Sequence, residues 1–197
     1  MSTSGETLRT FVAIQLPEDV LAAIARARRA LDARLASRAL RWTRPDGIHL
    51  TLKFLGETPA DVIPEVERRL GEALAGVSSF ALELAPLGVF PSPAAARVVW
   101  VGLAGDLQAL ADAQRRVEEA ISPLGYPTEK RPFSPHLTLA RVADFAAPAD
   151  RREIGSAVSA APVPPRLRFE VQAVSLMRSQ LGPGGARYTQ LFSVALA

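Results

Sequence analysis

The sequence contains no cysteine, only two histidines, and only two lysines, Lys53 and Lys130, among its 23 basic side chains. Without cysteine, the chain has no disulfide, no thiolate nucleophile and no cysteine-ligated metal site. No stretch approaches the roughly 18 consecutive apolar residues that span a bilayer, and the first residues lack a charged segment followed by a long apolar run. We therefore expect a cytoplasmic protein without a membrane segment.

The overall composition is that of an ordinary globular protein. Of the 197 residues, 48% are hydrophobic and 22% are charged, and the formal net charge is +3. This length suits one substantial domain, so we expect a single domain over residues 1–197. An arginine-rich window from Arg26 to Arg44 is more typical of a solvated helix face than of a nucleic-acid contact.

Hydrophobic patterning predicts alternating strands and helices. Short β-branched and apolar runs predict strands, and apolar residues at helical spacing predict helices. In the first half the predicted order is strand 10–16, helix 18–39, strand 49–55, helix 61–76 and strand 80–90. The second half repeats it as strand 98–103, helix 105–125, strand 136–142, helix 149–160 and strand 167–177, followed by a last strand over 187–196.

A constant separation of 87 residues relates the two halves. The strands FVAIQL and VVWVGL begin at positions 11 and 98, and the tetrapeptide HLTL occurs at 49–52 and again at 136–139. A fixed internal period of this kind indicates a duplicated unit. We expect an α+β fold of two β-α-β-α-β units, over about residues 8–95 and 96–197, forming two lobes related by a pseudo-twofold axis.

The repeated tetrapeptide contains both histidines of the chain. Successive side chains of a strand point to opposite faces, so the histidine and threonine of each copy share one face and the two leucines share the other. We expect the leucines in the core, and His49, Thr51, His136 and Thr138 facing a cleft between the lobes. A single histidine in an apolar strand is more often a packed core residue, but its recurrence in identical tetrapeptides favours a functional role.

Two imidazoles at one cleft favour acid–base chemistry on a phosphate. Imidazole titrates near neutral pH and can act as general acid or general base, and a hydroxyl beside it can donate to phosphate oxygens. A zinc site is a weaker interpretation, because no HExxH motif or cysteine cluster is present. A nucleophile elbow is also absent, and the glycine-rich stretch 182–185 lacks the lysine and helix of a P-loop. We therefore predict neither a metal nor an organic cofactor.

The stretches HLTLKFLGE and FSPHLTLAR, with an opening RTFVAIQLP and a closing VSLMRSQLGPGGARYTQLFSVAL, resemble a known family. They look like the bacterial and archaeal RNA 2',3'-cyclic phosphodiesterases, formerly called 2',5' RNA ligases, of the two-histidine (2H) phosphoesterase superfamily. The resemblance implies a bilobal fold with antiparallel sheets around a central cleft and helices outside. It also implies metal-independent opening of a 2',3'-cyclic phosphate to a 2'-phosphate.

The resemblance also implies roles for the motif residues. His49 would act as the proton donor to the leaving 3' oxygen, and His136 would act as the proton acceptor from the attacking water. Thr51 and Thr138 would hold the non-bridging oxygens of the phosphate as charge grows in the transition state. The residues by themselves leave the order of the two histidines open, because a pseudosymmetric pair could act in either order.

Further residues near the motifs are candidate substrate contacts. Strand alternation places Lys53 on the histidine face, whereas it places Arg141 on the leucine face, directed away from the cleft, so Arg131 is the preferred additional phosphate ligand. Ser179 and Tyr188, in the closing segment, are candidate ligand contacts, although a loop serine and a strand tyrosine are more often structural. Stacking on an aromatic ring would hold the base, and the pattern does not select among the aromatic residues Phe11, Trp42, Phe54 and Phe133.

The leading hypothesis is a monomeric enzyme that acts on RNA ends or nucleotides and needs no protein partner. Two alternatives of the same chemical class are 2',5' ligation of RNA ends and hydrolysis of another small cyclic phosphodiester. An alternative of a different class is a non-catalytic module that binds RNA ends. Such a module would keep the cleft and the arginines but would not need both histidines.

Overall fold

A computed structural model of the chain contains four α-helices and nine strands among the residues it describes, which are 6–36, 38–162, 164, 166–182 and 185–197. The helices are α1 (Glu18–Asp32), α2 (Ile63–Leu74), α3 (Leu107–Ile121) and α4 (Pro148–Ser159). The strands are β1 (Thr7–Gln15), β2 (Leu40–Trp42), β3 (His49–Pro59), β4 (Phe80–Phe90), β5 (Val98–Gly105), β6 (His136–Val142), β7 (Arg168–Val171), β8 (Ala173–Gly182) and β9 (Gly185–Ala195). The predicted α+β class is confirmed.

All the strands belong to one antiparallel sheet with the order β7-β4-β5-β6-β3-β1-β8-β9, and β2 pairs beside β6. The sheet is curled. Gln172 alone separates β7 from β8, although β7 is at one end of this order and β8 is near the other. The amide of Leu196, just after β9, donates to the carbonyl of Gln172 at 2.8 Å. The two ends of the sheet therefore approach each other, and β3 and β6, which carry the repeated motif, lie at its centre.

The internal repeat extends to the pairing register of the strands. In β1 and β3, Ala13 pairs with Thr51 and Gln15 pairs with His49. In β5 and β6, the residues 87 positions later pair in the same way, Trp100 with Thr138 and Gly102 with His136. The neighbouring strands follow, because Phe90 pairs with Val98 while Met177 pairs with Phe11. Strand β4 of the first unit thus pairs with β5, the first strand of the second unit, and β8 of the second unit pairs with β1, the first strand of the first unit. These two pairings link the halves into one body.

The helices cover the outer side of the sheet with their apolar faces. In α1 the buried residues are Val20, Ala23, Ile24 and Leu31, and in α3 they include Leu110, Ala113, Val117 and Ile121. Helix α3 begins where the Asp106 side chain accepts a hydrogen bond from the Ala109 amide at 3.1 Å, which satisfies one of the free amides of the first turn. The helices α2 and α3 lie side by side, since Arg69 and Arg116 each reach a carbonyl of the opposite helix.

Two predicted elements differ from the observed ones. Helix α1 ends at Asp32 rather than 39, because the Asp32 carboxylate accepts from the Trp42 indole and Arg34 donates to the carbonyl of Ala160, which draws the chain away towards β2. The predicted last turn also includes Ser37, which lies outside the described residues. The predicted strand 167–177 is two strands that break at Gln172 and pair with different partners, β4 and β1.

Candidate active site

A cleft of about 450 Å³ opens on the concave side of the sheet, where strands of both halves contribute side chains. His49 and Thr51 come from β3, and His136 and Thr138 come from β6. The leucines between them, Leu50, Leu52, Leu137 and Leu139, are at most 4% exposed. The predicted division of each tetrapeptide into a buried leucine face and a cleft face is therefore confirmed, and the cleft brings all four predicted motif residues together.

Each imidazole is oriented by the same backbone contact. His49 Nδ1 lies 2.9 Å from the carbonyl oxygen of Gly47, and His136 Nδ1 lies 2.8 Å from the carbonyl oxygen of Ser134. A carbonyl oxygen can only accept a hydrogen bond, so the proton of the neutral ring is at Nδ1 in both cases. The Nε2 atom of each ring is then left to exchange a proton with a bound molecule. Both contacts span two residues, so the motif and the residues just before it form one local unit that occurs twice.

The ring of His49 lies among aromatic side chains. It stacks on Phe11 with ring centroids 4.6 Å apart, and the Tyr188 ring meets it edge-on at 5.0 Å. Burial in this environment lowers the pKa of His49 below 6.5, and the contact with the Gly47 carbonyl only partly opposes the effect. The neutral form of His49 is therefore favoured at physiological pH.

The ring of His136 has different neighbours. Phe90 meets it edge-on at 5.0 Å, and the indole of Trp100 lies 6.5 Å away. The indole is held against the sheet at Gly88, where a Cβ atom would come within 2.2 Å of it. The position equivalent to Trp100 in the first unit is Ala13, so the two histidines share a backbone geometry but not a side-chain environment.

A β-bulge at the last leucine of each motif changes which of the following side chains reach the cleft. In β3 the register skips Leu52, since Val12 pairs with Lys53 and Ala13 with Thr51. In β6 the register skips Leu139 in the same way. The bulge places two successive side chains on the buried face and turns the next one outward. Phe54 and Arg141, which occupy equivalent positions, therefore both line the cleft.

Simple alternation predicted the wrong side for two residues, and these bulges are the reason. Arg141 was expected to point away from the cleft, but it is exposed and lines it. Lys53 was expected on the histidine face, but it is 5% exposed and lies on the buried side. Its ammonium group is 2.6 Å from a carboxylate oxygen of Glu118 and 3.0 Å from the carbonyl oxygen of Pro127. Lys53 thus anchors the segment before the second motif to β3 and α3, and it does not reach the cleft.

Ser179 and Tyr188, the candidate ligand contacts of the closing segment, line the cleft beside Arg9, which strand patterning alone did not single out. Arg9 pairs with Ser179, and Ser179 pairs with Tyr188, so the three residues form a row across β1, β8 and β9. Burial raises the pKa of the Tyr188 hydroxyl, and the charges of Arg141 and Arg9 oppose that shift. Among the described residues that line the cleft, Arg9 and Arg141 are cationic and none is acidic, which suits an anionic ligand.

Arg9 could have been found from its position in the sequence. It lies two residues before Phe11 and four before Ala13, on the strand that pairs with the first motif. Strand periodicity places these three side chains on one face, and that face is the one towards the cleft. Thr43 also lines the cleft and follows the short strand β2, which hydrophobic patterning did not predict.

Arg131, the preferred additional phosphate ligand, is placed in a neighbouring groove and not among the residues that line the cleft. This side groove lies between β3 at Thr51–Phe54, the second half of α3, and residues 127–133. The Arg131 side chain is 86% exposed and forms an ion pair with Glu129 at 3.3 Å, which lowers the pKa of that carboxyl group. Its predicted contact with the cyclic phosphate is untested, and its place is beside the cleft.

The structure distinguishes the four aromatic candidates for base stacking. Phe54 is 68% exposed and lines both the cleft and the side groove, whereas Phe11 is 2% exposed. The indole of Trp42 is engaged by Asp32 and by Arg28, which lies 5.1 Å from its ring centroid. Phe133 is half-buried in the side groove. Phe54 is therefore the ring that is best placed to receive a base.

The described residues contain neither a metal-binding cluster nor a membrane-spanning helix. No three histidine, aspartate or glutamate side chains within this part of the chain are grouped so that they could hold a metal ion. None of the helices within the same residues is long and apolar enough to cross a membrane.

Comparisons with known proteins agree with this geometry. Residues 15–183 match the family model of the 2'-5' RNA ligase superfamily. The chain is 34% identical over 201 aligned positions to the RNA 2',3'-cyclic phosphodiesterase of Thermus thermophilus, an alignment that covers 96% of this chain and 90% of that protein. It is 29% identical to the protein of the same name from Methanothermobacter thermautotrophicus, with 93% of this chain and 96% of that protein covered.

Solved structures give the same result for the fold. Escherichia coli LigT, crystallised in complex with 3'-AMP, superposes with a TM-score of 0.78 at 27% sequence identity. The superposition covers 98% of this chain and 99% of LigT. The similarity thus extends over both halves of the sheet and includes the strands that form the cleft.

Proposed function

The chain belongs to the 2'-5' RNA ligase superfamily, and from this membership and the geometry of the cleft we propose that it hydrolyses RNA or nucleotide 2',3'-cyclic phosphates to 2'-phosphates. The observation that carries the proposal is the pair of imidazoles, oriented by the same backbone contact, that face one cleft in which none of the described lining residues is acidic. Relatives that are matched over most of their length are RNA 2',3'-cyclic phosphodiesterases, which supports the reaction class.

In the proposed mechanism the two histidines exchange protons through Nε2. His136 takes a proton from water, the water oxygen forms a bond to phosphorus, the bond from phosphorus to the 3' oxygen breaks, and His49 gives a proton to that oxygen. Thr51 and Thr138 donate to the non-bridging oxygens, and Arg141 with Arg9 stabilises the additional negative charge of the transition state. Each group acts where charge develops, so no metal ion is needed to neutralise it.

The lowered pKa of His49 sets a condition on its role as the acid. The lowered pKa favours the neutral ring, whereas a general acid must carry a proton that it can donate from Nε2. A bound cyclic phosphate is an anion close to the ring and favours the charged imidazolium, which raises its pKa. We propose that the bound substrate anion raises the pKa of His49 by this effect, so that the ring takes up a proton from solvent before catalysis.

The proposed enzyme works as a monomer in the cytoplasm. Both histidine motifs come from one chain and meet in the centre of one sheet, so the cleft is complete without a second copy. Gel filtration of the purified protein with light scattering tests the monomer.

Product analysis of one reaction tests the proposed function. The protein is incubated with a 2',3'-cyclic mononucleotide in excess EDTA, and ³¹P NMR follows the phosphorus resonance. We expect conversion to the 2'-phosphate with no loss of rate relative to a reaction without EDTA. A 3'-phosphate product would contradict the assigned leaving oxygen, and turnover that EDTA abolishes would contradict the metal-free mechanism.

A further inference from the structure

The side groove is a depression of about 630 Å³ that opens beside the cleft. Thr51 and Phe54 line both depressions, so a molecule can extend from one into the other past these two side chains. The rest of the side groove is formed by Leu52 and Lys53 of β3, by α3 and by residues 127–133, none of which lines the cleft. The acid–base mechanism uses nothing in it beyond the shared Thr51.

An RNA strand whose cyclic phosphate is bound in the cleft can continue in one direction only. A 2',3'-cyclic phosphate terminates an RNA at its 3' end, so the strand continues only from the 5' oxygen of the terminal ribose. With the cyclic phosphate at the two histidines, the upstream nucleotide needs a path that begins at the cleft. A single-stranded RNA path combines cationic side chains for the phosphates with an aromatic ring for a base.

The side groove supplies both features. Phe54 presents an exposed ring at the junction with the cleft, and Lys130 and Arg131 lie exposed further along. Lys130 makes no ion pair with any of the described residues. The pair between Arg131 and Glu129 is solvent-exposed, and such a pair contributes little and is readily exchanged for a phosphate contact.

On these grounds we propose that the side groove binds the nucleotide upstream of the cyclic phosphate, so that the preferred substrate is an oligoribonucleotide and not a mononucleotide. In this arrangement the base of the upstream nucleotide stacks on Phe54. The phosphate on the 5' side of that nucleotide contacts Lys130 and Arg131. The inference rests on the proposed function, because it assumes that the cyclic phosphate lies at the histidine pair.

A smaller depression of about 250 Å³ also adjoins the cleft, through Arg9, Ser179 and Leu181, and it contains Arg178. It is the alternative path for the strand, but it offers less than half the volume, and none of the described residues that line it is aromatic. Arg178 is also paired with Glu6 at 3.3 Å. The variant Arg178→Ala therefore serves as a matched control, since it removes one surface arginine from the other side of the cleft.

The test compares two substrates that end in the same cyclic nucleotide, a mononucleotide and a short oligoribonucleotide. For the native protein we expect kcat/KM to be at least about fivefold higher for the oligoribonucleotide, because of its additional phosphate contacts. The double variant Lys130→Ala/Arg131→Ala should bring this ratio close to one. It should also reduce the salt dependence of oligoribonucleotide binding, by a slope of about 1.4 for two lost contacts. Arg178→Ala should keep the native ratio, and Glu129→Gln, which frees Arg131, should raise it.

The outcomes separate this inference from the function on which it rests. The proposed role of the side groove is overturned if the native protein turns over both substrates with equal kcat/KM. It is also overturned if Arg178→Ala, and not the double variant, removes the preference for the oligoribonucleotide. Either result still leaves the phosphodiesterase activity established. Turnover of neither substrate overturns the proposed function. Fluorescence anisotropy of a labelled oligoribonucleotide then decides about the groove, because equal binding by the native protein and the double variant excludes it and weaker binding by the variant supports it.

Discussion

Leu50 and Leu137 face each other across β3 and β6 at the point where the two halves of the sheet meet. They are equivalent residues of the internal repeat, 87 positions apart, and each is at most 1% exposed. Each follows a histidine, so the pairing of these two leucines brings the two motifs next to each other in the sheet. The pseudo-twofold axis passes between them, and the cleft lies on the opposite face of the same strands.

The environment of His49 predicts that its imidazole titrates below pH 6.5 in the free protein, because burial disfavours the charged ring. Saturating inorganic phosphate should move the midpoint upward, because the anion favours the imidazolium. The chain has only two histidines, so NMR of the imidazole protons resolves both, and His49→Gln assigns them. A midpoint at or above 6.5 in the free protein would contradict the account.

The same shift predicts a pH dependence of stability. The folded protein binds the His49 proton more weakly than the unfolded chain does, so its contribution to stability is complete above about pH 6.5 and is lost as the pH falls through the folded pKa. Relative to His49→Gln, the native protein should therefore lose free energy of unfolding between neutral and mildly acidic pH. Urea denaturation of both proteins across that range measures the difference, and a constant difference would exclude the lowered pKa.

Removal of one partner of the buried Lys53–Glu118 ion pair should greatly lower the free energy of unfolding. Lys53→Ala leaves the Glu118 carboxylate buried without its cation, and we expect a loss of about 3–5 kcal/mol in the free energy of unfolding. The double variant Lys53→Met/Glu118→Leu leaves no unpaired charge and should cost less than the single change. Urea denaturation compares them, and equal losses in the two variants would show that the pairing is unimportant.

A single methyl group added at Gly88 should disturb the packing around the second histidine, His136. A Cβ atom there would come within 2.2 Å of the Trp100 indole, which lies beside His136, so we expect Gly88→Ala to cost about 1–3 kcal/mol and to shift the His136 resonance. Gly71 is the matched control, because it lies in α2 with open space around it, and Gly71→Ala should stabilise the protein by about 0.5–1 kcal/mol. Native-like stability and His136 chemical shift in Gly88→Ala would contradict this packing.

The sequence was sufficient to predict the fold class, the repeat and the four motif residues, because these depend on spacing and on strand alternation. It was not sufficient for the residues after each motif. The β-bulges at Leu52 and Leu139 interrupt alternation, and they arise from the pairing of β3 and β6 with neighbours that are distant in sequence. This single cause explains both the misplaced Lys53 and the misplaced Arg141.

Two other differences have the same origin in tertiary contacts. Helix α1 stops at Asp32 although apolar residues continue at helical spacing, because Asp32 is held by Trp42. The break at Gln172 has no turn residue to mark it, and it follows from the curled sheet, whose ends require the chain to change partners there. Local patterning predicts which residues are buried but not which strand they pair with.

The pH dependence of turnover is the most direct test of the claim that the two histidines form an acid–base pair. With a 2',3'-cyclic nucleotide in EDTA, we expect a bell-shaped profile of kcat for the native protein. His49→Gln and His136→Gln should each lower kcat by about 10²–10⁴-fold and each lose one limb of the bell, while circular dichroism shows an unchanged fold. A native rate in either variant, or a profile that keeps both limbs in both variants, would contradict the account.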